Sequence, residues 1–469
     1  MNPGKYKSYI VIALTLVFVS CATYYQKSLK FQRYLQDGEV DKAENVLEGD
    51  KKGPEGKNRL LYYLNRGYIS WMQSEYEESN QFLQQADRII EDQIKNYGLD
   101  ALALLSNPMI KPYKPEDFEA VMLNYFIALN YLKLNDYEDA IVECKRINIR
   151  LNSLNDKYKD HKNRYQRDAF ANVMMGLVYD ADRDYNNAFI AYRNALEVYE
   201  EDYAKNFDIT APDQLKQDLL RTAYLTGFYD EVRFYEKKFN MKYEHKAAPE
   251  AQLVFFWFNG LGPIKDEWSI NFTKVDGQGG WITLVNEEYG LSFPFYIGGQ
   301  PDNEKSAFEQ FSMMRVAFPK YVERVPLYNS ASIKANNQNY SLEMAQNIND
   351  IAFKTLHDRM LREMATSLLR LATKKALEQQ VRKQNGELGA AVSIVNAITE
   401  KADTRNWQTL PYSVSYTRVP LKEGSNNLQL NSYSKNADSR SYDFSFEAKK
   451  GKTYFHAFHN IETIPWYPN

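Results

Sequence analysis

The stretch Gly176–Leu196, GLVYDADRDYNNAFIAYRNAL, places small and aromatic residues at regular intervals. Residues three and four positions apart lie on one face of a helix. If the stretch forms two antiparallel helices, three small residues would lie where the backbones cross most closely: Gly176, Ala188 and Ala195. Three tyrosines would fill the space around that crossing: Tyr179, Tyr185 and Tyr192. This pattern is typical of a tetratricopeptide repeat, a helix–turn–helix unit of about 34 residues.

The same pattern occurs twice upstream. In one segment the corresponding positions are Ala128, Tyr131, Tyr137, Ala140 and Cys144. In the other they are Gly67, Tyr76, Ser79, Leu83 and Ala86. Weaker versions occupy residues 37–47 and 226–239. Because each unit can bury its apolar face only against its neighbours, the sequence predicts a TPR-like helical solenoid over residues 22–245, with irregular spacing between units.

A proline-containing insert precedes the second of these units. Pro115 is followed by Glu116 and Asp117, and proline and acidic residues both suit the first turn of a helix. The sequence therefore predicts a helix over Glu116–Leu134. The residues before this helix could lie across the concave face of the solenoid and partly fill it. Two alternatives therefore follow from the sequence: an open groove, or a groove that the chain itself occupies.

After residue 245 the pattern changes to short apolar runs separated by turn residues. The sequence predicts an α+β domain over residues 246–469, so the fold class is mixed, α + α/β. The run AQLVFFWFN predicts a first strand, and three prolines indicate edge strands or strand ends: Pro294, Pro319 and Pro326. Further strands are predicted at Trp281–Val285, Leu291–Tyr296, Ser312–Phe318, Ala331–Ala335, Tyr412–Val419, Asn427–Leu430, Tyr442–Phe446 and Thr453–Phe458.

Between these two groups of strands the sequence predicts a long amphipathic helix from Ser341 to about Lys383. Apolar residues recur there at helical spacing. They are Leu342, Ala345, Ile348, Ala352, Leu356, Met364, Leu368 and Ala376. A second helix is predicted over Glu387–Lys401.

The N-terminal segment has the pattern of a lipoprotein signal. Lys5 and Lys7 precede the apolar run Tyr9–Val19, and Ser20 precedes Cys21. An uncleaved anchor is the alternative, but the run is too short for a hydrocarbon core of about 30 Å. We predict a signal peptide over residues 1–21, with lipid on Cys21. No acidic cluster follows Cys21, which favours the periplasmic face of the outer membrane over surface exposure.

Charge and cysteine content exclude several other classes. The 469 residues carry a net charge of −3 and no long basic block, so no nucleic-acid partner is expected. Only Cys144 remains once Cys21 is used for lipid, so no intramolecular disulfide is expected. We interpret Cys144 as a small buried hydrophobic residue.

Three short motifs are candidates for chemical sites. Gly260, Gly262 and Lys265 lack the ending of a phosphate-binding loop, so a turn is favoured, with Lys265 and Asp266 as alternative partner contacts. His456 and His459 lie three apart on a predicted strand without an evident third ligand, so no metal is expected. The third motif, ADTRNWQTLP, carries three functional residues: Asp403, Arg405 and Trp407. A structural role at a domain junction is favoured for them over a ligand or partner site.

Three segments resemble an uncharacterised family of tetratricopeptide-containing lipoproteins from Gram-negative bacteria. The segments are Tyr113–Asn148, Phe258–Glu267 and Ala402–Pro411. The family is associated with envelope lipoproteins of the penicillin-binding-protein-activator or curli-secretion type. The resemblance implies a role in the cell envelope and implies no reaction.

The sequence therefore predicts a non-catalytic scaffold held at the outer membrane by lipid. Its partners would be envelope proteins that insert a peptide or a helix into the solenoid groove. No nucleophile–base–orienter set, cofactor or small-molecule substrate is evident. The alternatives are a structural subunit of a secretion or fibre-assembly machine and a cell-wall-active enzyme.

Overall fold

The computed structural model describes residues 26–95, 109, 111–156, 164–245, 248–296, 313–360, 364, 368, 402–435 and 437–464. The predicted signal peptide with Cys21, the predicted helix Glu387–Lys401 and Ala376 lie outside these residues. Among the described residues, no helix combines the length and the apolar character needed to cross a bilayer.

The N-terminal half is a row of helices joined by short turns. In chain order they are α1 (26–36), α2 (Val40–Glu48), α3 (Arg59–Met72), α4 (Tyr76–Lys95), α5 (Asp117–Leu134), α6 (Tyr137–Asn155), α7 (Ala169–Ala181), α8 (Tyr185–Val198), α9 (Ala204–Asn206), α10 (Asp213–Leu225) and α11 (Tyr229–Phe239). A π-helical turn, Tyr199–Tyr203, joins α8 to α9. Helices α3–α4, α5–α6, α7–α8 and α10–α11 pack as hairpins, and each hairpin packs on the next. This is the arrangement of a helical repeat array.

Aspartate caps set where several of these helices begin. The carboxylates of Asp136, Asp168 and Asp184 accept hydrogen bonds from backbone N–H groups in the first turns of α6, α7 and α8. Helix α5 begins with a capping box between Glu116 and Glu119. These caps satisfy N–H groups that have no partner within the helix.

The small residues of the repeat pattern lie at close helix crossings. A Cβ added to Gly176 would lie 2.3 Å from a ring carbon of Tyr192, and one added to Gly67 would lie 2.5 Å from Leu83. The alanines of the pattern are fully buried: Ala86, Ala128, Ala140, Ala188 and Ala195. Tyr192 is also buried, whereas Tyr131, Tyr137, Tyr179 and Tyr185 are partly buried. The pattern therefore marks where helices of one hairpin approach each other.

The C-terminal half contains strands in two sheets among the described residues. The strands are β1 (Ala251–Asn259), β2 (Ile264–Asp276), β3 (Trp281–Asn286), β4 (Leu291–Tyr296), β5 (Met313–Val322), β6 (Ser330–Ala335), β7 (Gln338–Asn347), β8 (Ser413–Leu421), β9 (Gly424–Tyr433), β10 (Arg440–Ala448) and β11 (Thr453–Asn460). The larger sheet has the order β10-β9-β6-β7-β8-β1-β11, and the smaller has the order β4-β3-β2-β5. Pairing is antiparallel except between β1 and β11, which run parallel. Pro294 on β4 and Pro319 on β5 lie on the two edge strands of the smaller sheet, as their lack of an N–H requires.

Strand β1 is buried on both faces. Val254, Phe256 and Phe258 belong to the same hydrophobic cluster as the helices. The alternate residues Leu253, Phe255 and Trp257 belong to a second cluster, which lies on the other side of the sheet. A strand covered on both faces has an almost continuous apolar sequence, and this explains AQLVFFWFN.

The larger sheet fills the groove of the helical array. Helices α5 and α7 are buried around almost their whole circumference, because the sheet covers the faces that their neighbouring helices leave open. The ring of Phe126 on α5 lies 5.8 Å from Phe258, and the ring of Phe170 on α7 lies 6.0 Å from Phe256. Both halves of the chain therefore share one hydrophobic core.

The predicted helix from Ser341 is wrong at its N-terminal end. Leu342 and Ala345 lie on β7, and helix α12 begins at residue 348 and continues through residue 360, with residues 364 and 368 also helical. Asn336 and Asn337 adopt left-handed backbone angles and form the two-residue turn between β6 and β7. Such a turn favours asparagine and creates a hairpin, so the chain is extended where apolar spacing alone suggested a helix. Strand β2 was also not predicted.

Candidate functional site

Arg405 joins the two halves of the chain at the base of the smaller sheet. Its guanidinium makes a bidentate pair with Asp403, at 2.8 and 2.6 Å. The same group donates to the side chain of Asn58 at 2.8 Å and to the carbonyl oxygen of Lys111 at 3.0 Å. Because Arg405 is buried and its partners come from both halves, it lies at the domain junction, the structural role that the sequence favoured.

Trp407 and Glu119 form the centre of this junction. Trp407 is buried, and its backbone N–H donates to Glu119 Oε1 at 2.6 Å. Glu119 also accepts from the hydroxyl of Tyr113. Burial and the neighbouring Glu116 raise the pKa of Glu119 to about 7. The carboxyl is therefore held by donors from both halves of the chain.

Lys265 lies inside the same junction and not on an outer surface. Its ammonium pairs with Glu116, which also accepts from Arg359 at 2.5 Å. Burial disfavours ionisation of Glu116, but Arg359 and Lys265 outweigh it and lower the pKa of Glu116 to about 2. Asp266 is half exposed, with a carboxylate oxygen 3.7 Å from the ammonium of Lys320. Of this pair only Asp266 is accessible to a partner.

The two histidines lie on opposite faces of β11, and each contacts a residue of a helix. His459 is buried, with Nδ1 2.5 Å from the hydroxyl of Tyr68 and Nε2 2.6 Å from the carbonyl oxygen of Gly260. His456 Nδ1 lies 3.1 Å from the ammonium of Lys133. No group of three or more metal-ligating side chains occurs in the described part of the chain.

An open cleft of about 850 Å³ lies at the C-terminal end of the helical array. Its walls come from the end of α7, from α10, from residues 241–245, 248 and 249, and from the ends of β1, β8 and β11. The volume is typical of ligand pockets, which span roughly 300–1,000 Å³. Here the larger sheet ends and one end of the groove stays open.

Two aspartates and two arginines form the floor of this cleft. Arg221 donates to Asp180 at 3.0 Å and to Asp218 at 3.1 Å. Arg418 on β8 donates to Asp180 at 2.7 Å and to the hydroxyl of Tyr192 at 3.3 Å. Burial opposes ionisation of Asp180, but Arg418 and Arg221 outweigh it and lower the pKa of Asp180. The four charges balance, so they can stay ionised together away from water.

Three polar atoms in this cluster have no hydrogen-bond partner among the protein atoms: Nε and Nη1 of Arg418, which are donors, and Oδ2 of Asp218, an acceptor. Nε lies 3.0 Å from the other carboxylate oxygen of Asp218, so the two side chains still form an ion pair. Buried polar groups are nearly always satisfied, by water where protein atoms do not reach. Because all three atoms are buried, an enclosed water is the group that would complete the cluster.

Little in the sequence indicates this site. Asp180 lies within the repeat segment, but Arg221 and Arg418 are 41 and 238 positions away from it. Charged residues at such separations show no pattern in a single sequence. The available signal was indirect, because Asp180 is a charged residue on the otherwise apolar α7.

Comparisons with known proteins find only weak similarities, to solved structures that align with about half of the chain. No family model and no curated protein matches the chain. Among solved structures, the apo form of RapI aligns over 46% of this chain and 68% of its own, at 14% identity and a TM-score of 0.33. BtubC from P. vanneervenii aligns over 52% and 93%, at 13% identity and a TM-score of 0.32. A tetratricopeptide repeat protein from Parabacteroides merdae aligns over 48% and 81%, at 14% identity and a TM-score of 0.21.

At these TM-scores the similarity carries no argument about function. The helical-repeat character of residues 26–239 rests on the hairpins themselves. The resemblance to an envelope lipoprotein family stays a prediction.

Replacing Arg418 with Met should destabilise the protein by about 3 kcal/mol at pH 7, because it leaves buried Asp180 and Asp218 with Arg221 alone. Folding lowers the pKa of Asp180, so its ionised form adds stability above its ordinary pKa of 3.8 and this is lost as pH falls through the folded value. The loss of unfolding free energy caused by Arg418→Met should therefore be smaller at about pH 3 than at pH 7. Chemical denaturation at both pH values measures it.

Arg233→Met is the matched control, since Arg233 makes an exposed pair with Asp230 on α11. Its effect should stay below about 0.5 kcal/mol at either pH. Equal effects of the two substitutions would show that the buried cluster does not stabilise the fold.

Proposed function

We propose that the protein is a non-catalytic scaffold that is anchored by lipid to the periplasmic face of the outer membrane and binds other envelope proteins. The observation that carries the proposal is the form of the helical array. Among the described residues, its groove is filled by the chain's own sheet along α5 and α7, and a cleft stays open at the α10 end. We therefore move the docking site from the whole groove, where the sequence placed it, to this cleft.

The cleft has the mixed lining that a peptide segment requires. Apolar and aromatic side chains of Leu220, Tyr185, Tyr243 and Tyr340 form part of the walls above the charged floor. Such walls hold side chains, while a few fixed polar groups orient the backbone.

The rim of the cleft favours an acidic partner. Arg183, Lys242 and Lys452 are exposed at the rim, where Glu244 is the acidic counterpart. The floor itself is neutral, so the excess positive charge lies on the rim. Charges at the rim mainly accelerate association and select between partners.

An enzyme with its active site in this cleft is less well supported. Asp180 and Asp218 are the acidic residues of the floor, and both are paired with arginines. A carboxyl that acts as a general acid or base at neutral pH has a pKa raised toward 7, whereas that of Asp180 is lowered.

One observation favours the alternative that the protein is a structural subunit of a larger assembly. Four apolar side chains near the α10–α11 turn are exposed: Leu225, Phe228, Tyr229 and Phe234. Terminal units of repeat arrays usually present a polar outer face. A second protein that continues the array would cover these side chains.

A photo-crosslinker at Gln217, which is exposed in the cleft, tests the docking site. We expect a discrete adduct with an envelope protein in intact cells. The adduct should weaken when Lys242 and Lys452 are both changed to Glu, because the rim then repels an acidic segment. The control position is Ile149 on the outer side of α6, which is 63% exposed. The same adducts from both positions would contradict docking in the cleft.

Replacing Cys21 with Ser tests the anchor separately. The variant should leave the membrane fraction and appear as a soluble periplasmic protein, because it cannot accept lipid. The measurement is fractionation of cells after a high-salt wash, with Cys144→Ser as the matched control. Membrane association that is unchanged in the Cys21 variant would contradict the lipid anchor.

A further inference from the structure

A second, smaller pocket lies at the edge of the larger sheet. It has a volume of about 210 Å³ and is lined by the α3–α4 turn, the end of α5, strand β11 and Phe444 of β10. The rings of Trp71, Tyr76, Phe455 and Phe458 form much of its wall. Its size suits a single aromatic or branched side chain rather than an extended peptide.

Lys133 brings a positive charge into this apolar pocket. It is in the last turn of α5, where the helix carbonyl groups favour a cation. Its ammonium lies 5.8 Å from the centre of the Tyr76 ring and 3.1 Å from His456 Nδ1. The titratable groups that line the pocket with it are Tyr76, His456 and His459, and no described lining residue is acidic. The charge therefore lacks a carboxylate counterpart within the pocket.

His456 holds the ammonium of Lys133 from one side. Its ring contacts Phe255, Phe444 and Phe446, and burial lowers the pKa of His456 to about 3, so the imidazole is neutral. Because Nδ1 accepts from the ammonium of Lys133, the ring proton is on Nε2 and points away from the ammonium. His456 therefore orients Lys133, and the ammonium is the donor that an anionic group would meet.

We propose that this pocket binds a ligand with an apolar body and a carboxylate, whose oxygens pair with Lys133 while the surrounding rings enclose the body. Two sources carry this chemistry: the C-terminal residue of a peptide and a free organic acid. The site is distinct from the cleft, because the two share no lining residue. Strand β11 contributes different residues to each of them. It does not depend on the proposed scaffold function.

Two pairs of probes test the proposal by titration calorimetry on the full chain. The first pair is N-acetyl-phenylalanine and its C-terminal amide, which mimic the end of a peptide. The second pair is 3-phenylpropionate and 3-phenylpropanamide, which represent free acids. At pH 7 we expect at least one acid to bind about tenfold more tightly than its amide, as a charge-assisted hydrogen bond requires. The pair with the larger preference identifies the source.

The affinity for the acid should fall as the pH rises. Burial lowers the pKa of Lys133 to about 8, so the ammonium is mostly present at pH 7 and mostly lost at pH 9. Affinity for the acid should fall about tenfold between these pH values, because only the ammonium pairs with a carboxylate. Affinity for the amide should not change.

Lys133→Met should abolish the preference for the acid and leave amide binding intact. Lys145→Met, at an exposed position on α6, should change neither affinity. If Lys133→Met does not fold, the pH dependence of the unaltered protein decides. Equal affinity for acid and amide in both pairs, no saturable binding of any probe, or an acid preference that survives Lys133→Met would each overturn the proposal.

Discussion

The burial of α5 and α7 beneath the larger sheet is the contact on which the rest of the structure depends. Phe256 and Phe258 of β1 meet Phe170 and Phe126 of the two helices. An ordinary helical repeat leaves its inner helices facing an open groove, and here the chain supplies its own occupant. Because apolar burial is the dominant favourable term in folding, this contact makes two regions of different architecture one unit.

The polar groups buried by this contact are satisfied across it. Glu119 accepts from Trp407, and Asp180 accepts from Arg418. Asp168, the cap of α7, also accepts from Gln346 on β7 at 3.0 Å. In each case an acidic residue of a helix meets a donor from the C-terminal half. A buried carboxylate without its donor is strongly destabilising, so these pairs fix how the sheet sits on the helices.

This contact also decides where the proposed partner could bind. A groove that is filled by the sheet cannot accept a helix along its length, and the cleft at the α10 end remains. The cleft and the Lys133 pocket both lie where the sheet stops covering the helices. The two proposed binding sites therefore lie along the boundary of the shared core.

The helical hairpins were predictable because their signal is local. Glycines and alanines at crossings lie within one hairpin, as with Gly176 and Ala188, and α5 was predicted to within one residue at its start. Strand β7 was missed because Leu342 and Ala345 fit helical spacing, although the Asn336–Asn337 turn was visible in the sequence.

The junction and the cleft depend on residues that are distant in sequence. The sequence favoured a junction role for Arg405 and Trp407 but could not identify Asn58 or Glu119 as their partners. The sequence of α5 contains a signal of its burial. Helix α5 is apolar around its circumference, which is typical of a helix buried on every side and not of one that lines an open groove.

Native-state hydrogen exchange on the full chain tests the shared core most directly. Amides of α5, α7 and β1 should exchange only through one common opening, with the same free energy and the same dependence on denaturant, because none of them stays folded without the others. If β1 and its neighbouring strands exchange at a clearly lower free energy while α5 and α7 stay protected, the helices fold independently and the idea of a single shared core is contradicted.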